Sequence, residues 1–258
     1  MSDRCARYDS SDWTGKGKTC QLWEVAPCVK LSGRAEDPAQ PCGHSFSIPR
    51  GECLVLTAPD REPLHAINFV SGVAKSYKTL PDGRRQIVGF HFPGDLLLQV
   101  PEGELRTPVL EAIIPTTLCR ANSQLLQRIQ AARPDLALRL LRGLALEQAA
   151  GADRMLRLGC MTAEARLASF LIEMQQRVGG RSGAENTIAL PMGRQDIADY
   201  LGLKAETVSR TFTKLKRAGV LAMPRPNQIV IEDRTRLLEL AAVDDHDSDA
   251  EAARDGWR

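Results

Sequence analysis

GRQDIADYLGLKAETVSRTFTKLKRAG, Gly193–Gly219, divides at Leu201-Gly202-Leu203 into two short amphipathic helices. In the second, Ala205, Val208, Phe212 and Leu215 recur at spacings of 3, 4 and 3, which puts one apolar stripe on the inward side. Glu206, Arg210, Thr213 and Arg217 recur at 4, 3 and 4 on another side, with Ser209 beside them. Gly202 suits the left-handed stop of the first helix, and Ala198 is small enough for the two helices to cross closely. The spacing is that of a helix-turn-helix whose second helix carries an outward row of hydrogen-bonding and cationic groups.

A polar stripe alone fits any solvated surface helix, so the neighbouring sequence has to decide. Between Lys204 and Arg225 stand six Lys or Arg against one acid, Glu206, although the whole chain carries a formal charge of only +2. A basic patch of this kind is the electrostatic footprint of phosphate binding. Beyond it, Gly219-Val220-Leu221, Pro224-Arg225-Pro226-Asn227 and Gln228-Ile229-Val230-Ile231 read as strand, turn and strand, a β-wing beside the helices. The segment is therefore expected to be a winged helix-turn-helix.

This stretch resembles the C-terminal domain of the Crp/Fnr bacterial transcription regulators. Glu206-Thr207-Val208-Ser209-Arg210 is similar to the recognition core of the Fnr/FixK branch, whereas the cyclic-AMP-receptor branch usually carries Gly where this chain has Ser209. The resemblance continues upstream through Ser71–Tyr77, Pro81–Ile87 and Gly89–Leu96, which look like strands and Gly-bearing turns of that family's effector domain. It covers about residues 45–240. The implied fold is α+β: an N-terminal double-stranded β-roll, cyclic-nucleotide-binding-like, then a long dimerisation helix and a C-terminal winged helix-turn-helix.

Bulk properties agree with this organisation. The 258 residues suffice for two domains, and 43% hydrophobic with 26% charged residues is ordinary for a globular protein. No apolar run approaches the ~20 residues of a membrane span, and the N-terminus lacks the apolar region of a signal peptide, so a cytoplasmic protein with no membrane partner is expected. Five parts follow. Residues 1–44 form a Cys-containing extension, and 45–122 the β-roll sensor or effector domain. Residues 123–159 form the connecting and dimerisation helix, 160–240 the DNA-binding domain, and 241–258 a disordered acidic tail with six acids against two arginines from Asp244. Within the β-roll, strands are expected near Cys53–Leu56, Ala66–Val70, Val73–Tyr77, Gln86–Phe92 and Thr117–Arg120. Pro49-Arg50-Gly51, Pro81-Asp82-Gly83 and Pro93-Gly94-Asp95 supply the turns. The reader domain opens with Thr162 as helix N-cap and an apolar face of Leu167, Phe170, Leu171, Met174 and Val178.

The long helix, about Pro134–Gly159, carries Leu141, Leu144, Gln148, Gly151, Met155 and Leu158 at spacings of 3, 4, 3, 4 and 3. Two copies can share such a seam, although packing on the chain's own β-roll would give the same stripe. The family resemblance implies pairing across a two-fold axis, which sets two recognition helices about one DNA turn, ~34 Å, apart and calls for a palindromic site. Gln148 and Gly151 interrupt the seam's apolar character and suggest an adjustable dimer.

Base-reading roles go to Glu206, Ser209 and Arg210. Arg210 is suited to guanine O6 and N7, Glu206 accepts from cytosine N4, and Ser209 reads by its hydroxyl or offers its Cβ to a thymine methyl. Lys204, Thr207, Thr211, Lys214 and Arg217 are expected on phosphates, which fix register without reading sequence. The resemblance implies a site like TTGAT-N4-ATCAA and RNA polymerase as a partner, with activation as the expected outcome. Lys204 departs from the Ser or Thr that relatives often carry as helix N-cap.

The signal is less determined. Cyclic-nucleotide pockets of this fold separate a Gly-Glu pair from an Arg-Ser/Thr-Ala segment, whereas Gly103-Glu104-Leu105-Arg106-Thr107-Pro108 compresses the charges and ends in proline. Oxygen-sensing relatives hold a [4Fe–4S] cluster on three close N-terminal cysteines and one at the end of the β-roll, where Cys119 falls here. A cluster on Cys20, Cys28, Cys42 and Cys119 is one reading, yet Cys5, Cys20, Cys28 and Cys42 are separated by 14, 7 and 13 residues, with no short Cys-x₂-Cys run. Cys53, Cys119 and Cys160 also suit small buried apolar positions. A thiol switch and a haem on His65 or His91 stand as further alternatives. No cofactor, with control through abundance or through oxygen and redox state, is the reading placed first. No nucleophile–base spacing, Walker loop or HExxH points to an enzyme. A ligand-binding or redox module without DNA function would leave the basic helix and wing unexplained.

Overall fold

The computed structural model describes residues 5–6, 44–55, 65–99, 109–121, 127, 134–178 and 186–242. The chain divides into two compact units, Met1–Ala145 and Leu146–Arg258.

The first unit is a seven-stranded sheet of β1 (Cys5–Ala6), β2 (His44–Ile48), β3 (Cys53–Val55), β4 (His65–Thr79), β5 (Arg85–His91), β6 (Leu96–Gln99) and β7 (Val109–Ala121). The long strands β4 and β7 pair antiparallel along their length, and each half of either strand has its own outer partner. His65–Asn68 of β4 meets β6 while Ala74–Thr79 meets β5. On β7, Thr116–Arg120 meets β2 and Val109–Glu111 meets β3. The shared core is Ile48, Leu54, Ile67, Phe69, Ala74, Leu110, Ala112 and Leu118.

All three expected turns form, with Gly51, Gly83 and Gly94 at positive φ. The break expected between Ala66–Val70 and Val73–Tyr77 does not. Both runs belong to β4, which crosses Ser71-Gly72 with shifts of register instead of a turn. Gly72 is obligatory there: its φ is +85°, and a Cβ would stand 2.3 Å from the Pro115 carbonyl oxygen. Strands β2 and β6 and the first half of β7 lay outside the expected set.

The second unit begins within α1 (Pro134–Cys160), which opens on proline, a residue whose missing N–H costs nothing at the first helical position. Then come α2 (Ala163–Val178), β8 (Thr187–Ala189), α3 (Arg194–Leu201), α4 (Ala205–Arg217), β9 (Leu221–Arg225), β10 (Gln228–Ile231) and α5 (Arg234–Ala242). Thr162 caps α2 as expected, its hydroxyl accepting from the Ala165 N–H at 3.2 Å. Leu167, Phe170, Leu171 and Met174 of α2 are fully buried. The wing pairs β9 with β10 and adds β8. Its turn is shorter than expected: β9 runs on through Pro224 and Arg225, leaving Pro226-Asn227 at the tip. Among the described residues, no helix is long and apolar enough to cross a membrane.

Candidate nucleic-acid interface

Helix α4 is fixed from behind. Val208, Phe212 and Leu215 are at most 2% exposed, each burial stabilising by about 1.5–3 kcal/mol. Gly202 stops α3 at φ +64°, and the Leu203 N–H returns to the Ala198 carbonyl at 3.0 Å. Ala198, whose small size suits the helix crossing, is completely buried. The chain enters α4 through Lys204, which is extended (φ −82°, ψ 145°) and makes no side-chain cap.

Arg194, at the start of α3, joins helix to wing. Its guanidinium lies 3.5 Å from the Phe212 ring centroid and donates to the Pro226 carbonyl at 3.4 Å. Burial pushes its pKa below the ordinary arginine value, which leaves the guanidinium cationic at any physiological pH. Sequence reasoning missed this residue, because a single Arg at a helix start carries no periodic signal.

Glu206, Ser209 and Arg210 are all exposed on the outer face of α4. Ser209, Arg210, Thr213, Lys214 and Arg217 line a shallow concavity of about 480 Å³. Thr213, part of the outward row by its spacing, thus joins the face, and Lys204 is exposed at its N-terminal end. One expected contact needs revision, and two others have partners within the protein. Thr211 is only 8% exposed and donates its hydroxyl to the Thr207 carbonyl at 2.9 Å, so it is a packing residue and not a phosphate contact. Ser209 likewise donates to the Ala205 carbonyl at 2.9 Å, leaving its oxygen and Cβ to the outside. Lys214 is exposed but forms an ion pair with Glu164 of α2. Thr207 is half-buried.

Of the expected dimer seam, the Leu141 and Leu144 side chains lie outside the described residues. Gln148 is exposed, Gly151 half-exposed, and Met155 71% exposed, next to Leu156 at 58%. Leu158 is half-buried, and a methyl of its side chain lies 3.1 Å from where a Cβ on Gly202 would stand. Among the expected cluster ligands, Cys20, Cys28 and Cys42 lie outside the described residues. Cys119 is 4% exposed on β7, opposite Asn68, a buried amide with no side-chain hydrogen-bond partner. Cys53 is buried with its Sγ 3.7 Å from the Tyr77 hydroxyl, whereas Cys160, expected to be buried, is exposed. No group of three or more potential metal ligands occurs among the described residues.

A family model described as a Crp-like helix-turn-helix domain matches residues 165–240. Over 225 residues, 87% of this chain and 93% of the relative, the sequence is 44% identical to the nitrogen fixation regulation protein FixK of Bradyrhizobium diazoefficiens. The chain belongs to the FixK branch of the Crp/Fnr family. Identity to another relative, the transcriptional activatory protein AadR of Rhodopseudomonas palustris, is 41% over 176 residues, covering 68% of this chain and 73% of that one. The solved structure of FixK2 from Bradyrhizobium japonicum matches with a TM-score of 0.67 at 37% identity, covering 78% of this chain and 98% of its own. The α+β architecture is that of the Crp/Fnr family. Glu206, Ser209 and Arg210 thus stand on the second helix of a FixK-type DNA-binding domain.

Proposed function

We propose that this FixK-type regulator is a homodimeric activator that reads a TTGAT-N4-ATCAA-like inverted repeat. The observation that carries the reading is the division of α4 into two sides: Val208, Phe212 and Leu215 buried, Glu206, Ser209 and Arg210 exposed. A rigid helix with free acid, hydroxyl oxygen and guanidinium along one side suits the donor and acceptor pattern of the major groove. Arg210 takes guanine, Glu206 accepts from cytosine N4, and Ser209 meets a thymine methyl. Lys204, Thr207 and Arg217 hold phosphates, with the wing tip alongside. RNA polymerase is the partner through which such a regulator acts, and the cytoplasm is where both meet DNA.

Control runs through the protein's abundance or through oxygen and redox state, without a resident cofactor in the first reading. The alternative is a [4Fe–4S] cluster on Cys20, Cys28, Cys42 and Cys119. An ultraviolet–visible spectrum of protein purified without oxygen separates them, since a cluster gives a broad visible band that bleaches in air.

A mobility-shift titration tests the main reading. The inverted-repeat duplex should bind about 10³-fold or more tightly than a scrambled duplex of the same length at physiological salt. Equal affinity for the two would overturn it.

A further inference from the structure

Lys214 and Glu164 stand apart from the rest of the reading surface. Among the described residues, Arg210 and Arg217 carry no ion pair, while Lys214, on the same concavity, is paired with the carboxylate of Glu164. The two partners are unequally held. Glu164 sits in the first turn of α2, where the helix N-terminus favours a carboxylate, and its side chain is 25% exposed. The Lys214 side chain is 69% exposed at the end of a flexible stem. The acid is therefore the anchor and the lysine the movable member.

We propose that Glu164 is an affinity-limiting residue: it holds Lys214 against α2 and keeps it off the DNA phosphates, so the complex forms with one phosphate contact fewer than the face has cations to make. This rests on α4 being the DNA-reading helix. Two physical effects act in the same direction. Lys214 can reach a phosphate only by leaving Glu164, and the abandoned carboxylate then faces a polyanion with one charge per ~1.7 Å of axis. The restraint is independent of sequence, because phosphates carry no base information. It lowers affinity for every duplex alike and leaves the preference for the repeat unchanged.

The test is the salt dependence of binding, measured on the repeat and on a scrambled duplex. Glu164→Gln should steepen the slope of log K against log salt by about 0.9, one phosphate contact, and raise affinity roughly fivefold at 0.1 M salt on both duplexes. Lys214→Gln in the Glu164→Gln background should take the slope back. In the parent protein, Lys214→Gln should leave the slope unchanged, whereas Arg217→Gln should reduce it by about 0.9. An unaltered slope in Glu164→Gln, or weaker binding by that variant, overturns the restraint. So does loss of slope in Lys214→Gln alone. Failure of the DNA-reading assignment itself looks different: parent protein that does not distinguish repeat from scramble, with Arg210→Ala unchanged.

Discussion

Three hydroxyls on α4 show how far a residue's type decides its role. Ser209, Thr211 and Thr213 each donate to the carbonyl four residues back, at 2.9, 2.9 and 3.0 Å. A threonine at Thr211 and one at Thr213 read alike in a sequence, yet only Thr213 is exposed. The stripe spacing separated inside from outside for Val208, Phe212 and Leu215, because burial follows the 3.6-residue period. It did not place Thr211, which borders the buried stripe, or reveal that Lys214 already has a partner, because the partner lies on α2, fifty residues away in the chain. Two predictions belong at this scale. Arg210→Ala should lose about 1–3 kcal/mol of discrimination at the G·C pair of each half-site, read by a base-substitution series; a loss uniform across all sequences would refute the role. Ser209→Ala should stay within about threefold of the parent's affinity for the repeat. The hydroxyl's one proton already serves the helix, and Ala keeps the Cβ that meets a methyl. A tenfold loss in the same series would mean that the hydroxyl itself reads a base.

Element boundaries were largely legible because they rest on local chemistry: Thr162 at a helix start, Gly202 at a helix stop, and Pro-Gly pairs in the turns of the roll. What sequence could not show is how elements are tied together. Glu173 of α2 accepts from the Tyr200 hydroxyl of α3 at 3.3 Å and pairs with Arg157 of α1 at 3.4 Å and Arg177 at 3.7 Å. The Arg154 guanidinium lies 4.9 Å from the Tyr200 ring centroid. One carboxylate thus joins three helices, and no periodicity announces a residue whose partners are so scattered. Burial first, and the Glu173 charge next, push the Tyr200 phenol above its ordinary 10.0. A pKa raised in the folded state means that this stabilisation is whole below the unfolded value and fades as pH rises through 10. Unfolding midpoints should therefore drop more steeply as pH rises above about 10 in the parent than in Tyr200→Phe. Near neutral pH, Tyr200→Phe should cost about 1 kcal/mol for the lost hydrogen bond. Parallel alkaline limbs would refute the assignment. The α4 start offers a gain instead: Lys204→Ser supplies the missing cap and should stabilise by about 1 kcal/mol in thermal unfolding, while weakening DNA binding by one phosphate contact.

At the scale of the whole molecule, the decisive quantity is what α1 leaves uncovered. Of the expected seam, Met155 is exposed on α1, whereas Leu158 is half-buried beside Gly202, a contact between distant parts of the chain that spacing along one helix does not reveal. Leu156, the next residue along α1, is exposed as well. Burying one such side chain in a second copy is worth about 1.5–3 kcal/mol, enough to move a dimerisation constant by ten- to a hundredfold. Met155→Glu should accordingly weaken self-association at least tenfold in sedimentation equilibrium. Gly151→Leu should strengthen it, since among the described residues no atom outside the local helix backbone lies within 4 Å of a Cβ placed there. Binding to a duplex with one half-site reads α4 alone and should stay unchanged in both variants, while affinity for the full repeat should follow the dimerisation constant. If Met155→Glu and Gly151→Leu both leave self-association as it was, the two copies meet elsewhere, and the exposed Met155 and Leu156 have another use.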